Sequence, residues 1–274
     1  MTGLRDPEIF RVRVSSKRLP SAPVDLVRRL LQRLLGLDRF NSVYRSLGEC
    51  SEEQFSQTFL EAIGARWLYK GEQDSTIPRA GPLVIVANHP YGLIDGLAVE
   101  ALLLSYRKDF KLMLTHRLSC IPEFKNRHVF VDPETHRRRR SLSLRGWLQA
   151  SRWLRSGGAI GIFPAGHMAR FSWERMGIEE QKWSPHVFDI ARSSGASVLP
   201  VHIHGSYAPS VYVAGALYPS AIDMFGVGAV ERWRGRGFEA TLGPLIAPQE
   251  LSRFDSSEAG IAFLKQQVER LAGN

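Results

Sequence analysis

Cysteine is scarce in this sequence, and its two cysteines form no recognisable framework. Cys50 and Cys120 lie far apart in the 274 residues and belong to no CxxC or Cys/His spacing. Disulfide-rich secreted domains and structural zinc sites need several such residues at characteristic spacings. We therefore expect neither a disulfide framework nor a zinc site, and we expect a reducing, cytoplasmic location.

Long apolar runs are absent too. No stretch offers the roughly 18 uncharged apolar residues that a membrane-spanning helix needs. The first residues, MTGLRDPEIFRVRVSSKR, lack the apolar core of a secretory signal. Any membrane contact is therefore expected to be peripheral, on the inner face of the cell membrane.

Acidic residues are outnumbered by basic ones. The chain has 27 Asp and Glu against 36 Lys and Arg, a formal charge of +9. Such a surface attracts anions, whether lipid headgroups, nucleic acid, an acidic carrier protein or a phosphorylated substrate. With 44% hydrophobic and 23% charged residues, the composition is that of a globular domain with one sizeable core.

Short apolar runs alternate with helical stretches from about residue 80 onward. Strands are predicted at 82–87, 110–115, 128–131, 159–164, 197–205 and 238–246, and helices at 96–107, 137–156, 183–194 and 256–273. Fully apolar strands separated by helices predict an α/β fold with a mostly parallel central sheet flanked by helices. We divide the chain into an N-terminal helical segment, residues 1–75, and an α/β domain, residues 76–274.

The N-terminal segment contains one strongly amphipathic stretch, residues 21–37. Its leucines recur at spacings of three and four, and arginines stand between them. The leucines are Leu26, Leu30, Leu34 and Leu37, and the arginines are Arg28, Arg29 and Arg33. This pattern fits an interfacial helix and equally a helix packed on a core. Packing against the core is the more frequent case, so we favour it, but the two interpretations are compatible, and the segment could also associate with a membrane.

The stretch VANHPYGLIDG, residues 86–96, places chemistry at the end of a predicted strand. His89 falls where open α/β sheets hold their sites, and Asp95 starts the next helix after a turn through Gly92. Histidine exchanges a proton near neutral pH, and a carboxylate can fix its tautomer. This predicts a catalytic dyad. Taken alone, so short a motif fits a helix cap and a plain turn histidine better.

Three further stretches also place polar residues or a turn directly after a predicted strand. They are GGAIGIFPAGHMAR (157–170), VFVDP (129–133) and SVLPVHIHGSYAPSVY (197–212). The glycine turn of the first can aim backbone N–H groups at an oxyanion or a phosphate, or it can be an ordinary loop. His202 and His204 share one strand face, but without a third ligand at a recognisable spacing we predict site-lining or core histidines and no metal site.

Together these stretches resemble a known family. ANHPYGLIDG, VFVDP, IFPAGHMAR and VLPVHIHG, in this order, resemble the four blocks of the glycerophospholipid acyltransferases. More narrowly, they look like the blocks of the hemolysin-like bacterial branch, which read NHPxGxxDG, PVDP and FPAGE. The resemblance spans about residues 80–246, and the His-x5-Asp spacing favours that branch over the commoner His-x4-Asp.

The resemblance implies an enzyme of phospholipid biosynthesis. It would move a fatty acyl group from acyl-ACP or acyl-CoA to a lysophospholipid or related lipid hydroxyl, with no bound cofactor and no metal. His89 would be the general base and Asp95 would orient it. Backbone N–H groups near Gly92 or Gly166 are candidates for binding the oxyanion. The residues expected to bind substrate are Asn88, Gly92, Arg127, Arg138, Pro164, Gly166, His167, Arg170 and Gly205.

Two departures limit what the resemblance implies. Pro133 stands where the wider family has an arginine, and Ala165-Gly166-His167 replaces a Glu-Gly-Thr. Recognition of glycerol 3-phosphate is therefore not carried over. His167 also replaces the glutamate usual in the hemolysin-like branch, so a carboxylate contact at that position is not expected.

The densest positive charge lies in HRRRRSLSLRGWLQASRWLRSGG, residues 136–158. It fits a solvated helix end, or a platform for a phospholipid surface, an acyl carrier protein or the phosphates of coenzyme A. Trp147 and Trp153 do not share a helical face, so no nucleic acid partner is expected. The sequence leaves the oligomeric state open.

Two other functions stay open. One is an N-acyltransferase of amino-acid (ornithine-type) lipid synthesis, which would use the same base on an amine. The other is a non-catalytic basic protein that binds membrane or nucleic acid. The latter predicts that His89→Ala leaves function intact, whereas charge reversal at residues 137–140 abolishes it.

Overall fold

The computed structural model describes residues 8–12, 21–71, 77–132, 140–174, 176–207, 211–212 and 219–273. Its helices are α1 (Ser21–Leu34), α2 (Leu37–Ser46), α3 (Phe55–Ala62), α4 (Leu93–Tyr106), α5 (Pro122–Lys125), α6 (Arg140–Arg155), α7 (Pro185–Ser194), α8 (Pro219–Gly228), α9 (Pro248–Leu251) and α10 (Ser257–Arg270). Its strands are β1 (Arg66–Lys70), β2 (Leu83–Ala87), β3 (Phe110–Thr115), β4 (Val129–Val131), β5 (Ala159–Ile162), β6 (Arg170–Ser172), β7 (Gly177–Glu179), β8 (Ser197–Ile203) and β9 (Gly237–Leu242).

A seven-stranded sheet forms the centre, in the order β1-β9-β8-β2-β5-β3-β4. Neighbouring strands run parallel except β8 and β9, which are antiparallel. The predicted α/β fold with a mostly parallel sheet is thus confirmed. Val86 pairs with Ile162 on one side and Pro200 on the other, so β2, β5 and β8 end close to the same level. The loops after these strands therefore meet at one edge of the sheet.

Helices cover both faces of the sheet, as the fully apolar strands predict. All five residues of β2 are buried. Leu83 and Ile85 belong to one core cluster, whereas Val84 and Val86 belong to the other. The first cluster includes α2, α3 and α4, and the second includes α6, α7 and α10. The alternation of side chains along a strand explains this division.

The predicted N-terminal segment contributes to the same body. Phe40 of α2 and Phe55 and Phe59 of α3 are fully buried in the core cluster that contains α4. Strand β1 pairs in parallel with β9, with Arg66 opposite Gly237. Residues 66–70 are therefore an edge strand of the central sheet, although they lie before the predicted boundary at residue 75.

Helix α1 is turned the opposite way from our expectation. Leu26, Leu30 and Leu34 are 69%, 55% and 66% exposed. The side of the helix that meets the body of the protein carries Gln32, which is buried and donates from its amide to the carbonyl of Phe10 at 2.7 Å. The prediction that the leucine face packs against the core is therefore wrong for these three residues, whereas Leu37, at the start of α2, is fully buried. A polar contact holds the helix, and its apolar face points outward.

Candidate active site

His89 lies at the edge where the parallel strands end. It follows β2, and its ring stacks on Phe163, which follows β5, with ring centroids 4.2 Å apart and planes inclined by 24°. Its Nδ1 lies 2.9 Å from Oδ2 of Asp95 in the first turn of α4. The strand-to-helix turn therefore brings the two predicted catalytic side chains into contact.

Asp95 is fully buried and serves two purposes at once. Its Oδ2 also accepts hydrogen bonds from the backbone N–H groups of Tyr91, at 2.9 Å, and Gly92, at 3.0 Å. The same carboxylate thus caps α4 and faces His89, so the two interpretations of the short motif are compatible. Burial raises the pKa of Asp95, although its interactions with His89 and the two N–H groups oppose that rise.

Gly92 is required by the shape of this turn. Its φ of +83° is a conformation that side-chain-bearing residues rarely adopt. A Cβ there would also lie 2.9 Å from the sulfur of Met168 and 3.0 Å from the Cα of Gly226. Both the backbone angle and the crowding from α8 therefore exclude a larger residue.

Asn88 fixes the strand end that carries His89. Its side-chain amide donates to the carbonyl of Ile203 at 2.9 Å, and its Oδ1 accepts from the N–H of the same residue at 2.7 Å. This pair of bonds extends the pairing of β2 with β8 by one residue. Asn88 therefore holds the backbone next to His89, and its side chain is not part of the cavity lining.

Three tyrosines hold the turn after His89. Tyr91 donates to the carbonyl of His204 at 2.9 Å, Tyr207 to the carbonyl of Tyr91 at 3.0 Å, and Tyr212 to the carbonyl of Pro90 at 3.4 Å. Burial raises the pKa of all three phenols, which keeps them as donors. Tyr207 and Tyr212 were not predicted as site residues, although both lie in the stretch 197–212, which begins with β8.

Glu180 is a second carboxylate at the site. It follows the small hairpin β6–β7, and its Oε1 accepts the backbone N–H of His89 at 3.2 Å. Burial raises the pKa of Glu180, against the opposing effects of Trp183, Lys265 and His89. Glu180 was not predicted, because 91 positions separate it from His89 and no motif surrounds it.

A cavity of about 580 Å³ opens beside His89, which forms part of its wall. It runs between the strand ends and helices α6 and α7. Since Nδ1 faces Asp95, Nε2 is the ring nitrogen left for a molecule in this cavity. Much of the lining is apolar, including Leu114, Leu118, Val131, Trp147, Ile162 and Val187.

The predicted substrate-binding residues divide into two groups. Gly92, Pro164, Gly166 and His167 line the cavity together with His89. Asn88, Arg127 and Gly205 do not belong to its lining. Arg138 lies outside the described residues, and only the backbone of Arg170, in β6, is described.

The two backbone N–H groups that we expected to bind an oxyanion are already engaged. Gly92 donates to Asp95 at 3.0 Å, and Gly166 donates to the carbonyl of Phe163 at 2.9 Å. Each N–H stabilises its own turn. We therefore assign no oxyanion contact to either glycine in this conformation.

Arg127 belongs to a separate buried cluster. Its Nε donates to Oε1 of Glu100 on α4 at 2.9 Å, and Nε2 of His128 lies 3.3 Å from the same oxygen. Ser56 donates to the other oxygen at 2.6 Å. Burial alone would raise the pKa of Glu100, but His128, Ser56 and Arg127 together lower it. The guanidinium that we expected to bind substrate is thus paired inside the protein.

His202 and His204 lie close together, as the strand pattern predicts. Their ring centroids are 4.8 Å apart, and Nε2 of His204 lies 2.7 Å from the hydroxyl of Thr241. Burial and the neighbouring His204 lower the pKa of His202 to about 4. Among the described residues, no three His, Cys, Asp or Glu side chains are grouped so that they could hold a metal ion.

The family model for acyltransferases matches residues 69–204, which contain His89, Asp95 and Glu180. This part of the chain belongs to the acyltransferase family. The structure of this acyltransferase is similar to the crystal structure of the 1-acyl-sn-glycerophosphate (LPA) acyltransferase PlsC from Thermotoga maritima. The TM-score is 0.51 at 18% sequence identity, and the match covers 91% of this chain and 90% of that one. This similarity shows the fold. No curated protein matches the sequence.

The family match confirms an acyltransferase, an enzyme that transfers acyl groups, as the four sequence blocks predict. Its assignment to the hemolysin-like branch stays a prediction. Within the described parts of the acyltransferase, no helix is both long and apolar enough to cross a bilayer.

Proposed function

We propose that this acyltransferase moves a fatty acyl group from an acyl thioester, acyl-ACP or acyl-CoA, to the hydroxyl of a lysophospholipid or a related lipid. The main support is the position of His89. Its Nδ1 lies 2.9 Å from buried Asp95 while its ring forms part of the cavity wall. A histidine held in this way by a carboxylate is suited to general-base catalysis.

The reaction follows from that geometry. Nε2 of His89 takes the proton of the acceptor hydroxyl while the oxygen attacks the thioester carbonyl. Asp95 stabilises the imidazolium that forms. The tetrahedral intermediate then expels the thiolate, which receives the proton back from His89 as the C–S bond breaks. General-base assistance of this kind contributes about 10²- to 10⁴-fold. Each step uses only His89, Asp95 and the two substrates, so no bound cofactor or metal is required.

The shape and lining of the cavity support an acyl chain as its occupant. The cavity volume of about 580 Å³ lies within the range usual for pockets that bind small molecules. The apolar side chains from β3, β4, β5, α6 and α7 would remove a hydrocarbon chain from water. His89 at the wall would then face the thioester end of that chain.

We propose further that the outward face of α1 lies on the inner surface of the cell membrane. Its exposed leucines form one apolar strip, and Arg29 and Arg33 on the same helix are suited to anionic headgroups. A lysolipid acceptor and its diacyl product both reside in the bilayer. Docking through α1 would keep the enzyme where both are found.

The first experiment compares the wild-type enzyme with His89→Ala. Radiolabelled acyl-ACP and acyl-CoA are offered with a panel of lysophospholipids, glycerol 3-phosphate and amino-acid lipid precursors. Transfer to a lysolipid that disappears in His89→Ala, with an unchanged circular dichroism spectrum, supports the proposal. Transfer only to an amine would instead show an N-acyltransferase. Equal transfer by both proteins, or none by either, would contradict the proposed function.

The membrane contact is tested by co-sedimentation with vesicles that contain phosphatidylglycerol. The variant Leu30→Ser/Leu34→Ser should bind about tenfold or more weakly, because two leucines no longer enter the bilayer. Leu68→Ser on β1 is the matched control, since Leu68 is 55% exposed, as is Leu30. Equal loss in the control and the α1 variant would contradict docking through α1.

A further inference from the structure

We propose that the exposed face of α6 is the docking surface for an acidic acyl carrier protein. This inference rests on the proposed function and deepens it, because it names the acyl donor and the surface that recognises it. The surface, called the α6 face below, consists of Leu144, Arg145, Leu148 and Arg152 of α6 and Lys111 of β3.

The charge of the α6 face is entirely positive. Helix α6 contains four arginines and no acidic residue. Two of them, Arg145 and Arg152, line a groove of about 640 Å³ together with Lys111. Neither arginine has an ion-pair partner in the part of the chain that the structure describes. The groove therefore presents cations that an acidic partner can neutralise.

Two leucines make the same face apolar. Leu144 is 62% exposed and Leu148 is 49% exposed, and they are one helical turn apart. Exposed leucines beside unpaired arginines are the complement of an acidic, amphipathic helix. This combination favours a protein partner over a small anion, which needs the cations alone.

The groove is less suited to the nucleotide of coenzyme A. Its one aromatic side chain, Trp153, is covered by Lys111, whose Nζ lies 4.4 Å from the ring centroid. The indole nitrogen donates to the carbonyl of Asp109 at 3.0 Å. This ring face is thus not free to stack on an adenine.

The α6 face also leads to the catalytic cavity. Leu144 is both exposed and part of the cavity lining, and Trp147, one turn of α6 away, lines it as well. His89 lies in the wall of the same cavity. A carrier protein seated on α6 would therefore place its acyl chain at an opening that reaches His89.

The test reverses the charge at Arg145 and Arg152. Steady-state transfer is measured with palmitoyl-ACP and with palmitoyl-CoA for the wild-type enzyme, for Arg145→Glu/Arg152→Glu, and for the control Arg253→Glu/Arg270→Glu. The control changes the net charge by the same amount at exposed arginines of another part of the surface. We expect KM for palmitoyl-ACP to rise about tenfold or more in the α6 variant alone, with KM for palmitoyl-CoA unchanged.

Binding is measured independently of catalysis. Fluorescently labelled palmitoyl-ACP is titrated with each protein, and its anisotropy is followed. Binding by the wild type that the α6 variant loses supports the proposal, even if no acyl transfer is detected and the proposed function fails. Transfer from palmitoyl-CoA without any binding of the carrier would keep the proposed function and overturn this inference.

Two further outcomes would also overturn it. An equal rise of KM for both donors would show a site for the phosphate groups that they share. Loss of binding to phosphatidylglycerol vesicles in the α6 variant, with carrier binding intact, would show a lipid surface at α6.

Discussion

Helix α4 carries two buried carboxylates, each facing a histidine, and the two pairs have opposite properties. Asp95 faces His89 at the cavity, and Glu100 faces His128 in the protein interior. Burial raises the pKa of Asp95, whereas the partners of Glu100 overcome burial and lower its pKa. The comparison separates the pair that we propose to be catalytic from a pair buried in the interior.

The difference lies in the surroundings of each pair. His128 is fully buried, its Nδ1 accepts the N–H of Leu112 at 3.1 Å, and its Nε2 faces Glu100. Arg127 adds a full positive charge to that carboxylate. Within the described residues, the ring of His89 has a polar partner at Nδ1 alone, and no lysine or arginine pairs with Asp95. The cluster at Glu100 thus stabilises the fold, whereas the pair at Asp95 retains a group that can still take a proton.

The opposite pKa shifts of the two carboxylates have opposite effects on the stability of the protein. A carboxylate whose pKa is lowered by folding stabilises the protein when ionised. One whose pKa is raised by folding destabilises it when ionised. Near neutral pH, Glu100 therefore adds to the free energy of unfolding, and Asp95 subtracts from it. Such a cost is typical of functional sites.

The largest effect on acyl transfer is expected from Asp95→Asn. The amide oxygen can still cap α4, but the variant cannot stabilise an imidazolium at His89. We expect acyl transfer to fall by about 10²- to 10⁴-fold, while the free energy of unfolding stays equal or rises. Initial rates and urea denaturation measure the two quantities. A loss of activity that accompanies unfolding would show that Asp95 is mainly structural.

Glu100→Gln should lower the stability of the protein and leave its activity unchanged. Removing this charge leaves buried Arg127 with only the half-exposed carboxylate of Glu53, at 3.9 Å, which costs about 3 kcal/mol of stability. Activity per folded molecule should stay near the wild-type value, because the cluster does not line the cavity. The check is urea denaturation beside rates corrected for the folded fraction. A stable variant with lost activity would remove the distinction between the two pairs.

The pH dependence of stability sharpens the same contrast. The stability that Glu100 provides is present above its ordinary pKa of about 4 and is lost as the pH falls through its lowered folded pKa. The advantage of wild type over Glu100→Gln should thus shrink in acid. Ionisation of Asp95 costs stability as the pH rises from about 4 to its raised folded pKa. The advantage of Asp95→Asn over wild type should therefore grow with pH in that window.

These trends are measured by urea denaturation of the three proteins between pH 3 and 8. The Asp95→Asn and Glu100→Gln curves should diverge from the wild type in opposite directions as the pH rises. Parallel curves for all three proteins would contradict the opposite pKa shifts.

The smallest effect is expected at Glu180, which touches His89 only through the backbone. Glu180→Gln keeps an oxygen that accepts the N–H of His89, so its activity should stay near wild type. Glu180→Ala removes one hydrogen bond, and kcat/KM should fall about three- to tenfold. If Glu180→Gln loses as much activity as Glu180→Ala, the charge of Glu180 matters as well as its hydrogen bond.

The sequence predicts the centre of the fold better than its margins. The buried strands are short and apolar, so their positions follow from composition; β3, for example, agrees with the predicted residues 110–115. Strand β1 was not predicted, because its sequence RWLYK has charged ends and the strand is only partly buried at the sheet edge. The prediction for α1 failed because periodicity shows which residues share a face, not what covers that face.

In the candidate site too, some residues could be predicted from the sequence and others could not. His89 and Asp95 are close in sequence, and the turn between them places them together, so a local motif suffices to predict their contact. Glu180, Tyr207 and Tyr212 act through side chains that meet this turn from distant parts of the chain. No local pattern encodes such contacts. They depend on the complete sheet, and only the structure shows them.

The hydrogen bonds that hold the His89 turn also determine when, during synthesis of the chain, this turn can reach its final geometry. Ile203, Tyr207 and Tyr212 contact the turn across 115, 116 and 122 residues of sequence. A ribosome therefore synthesises the histidine and aspartate long before the residues that fix their geometry. The proposed site is among the last parts of the chain to reach its final geometry, and truncation ahead of residue 212 would leave the motif intact without the contact from Tyr212.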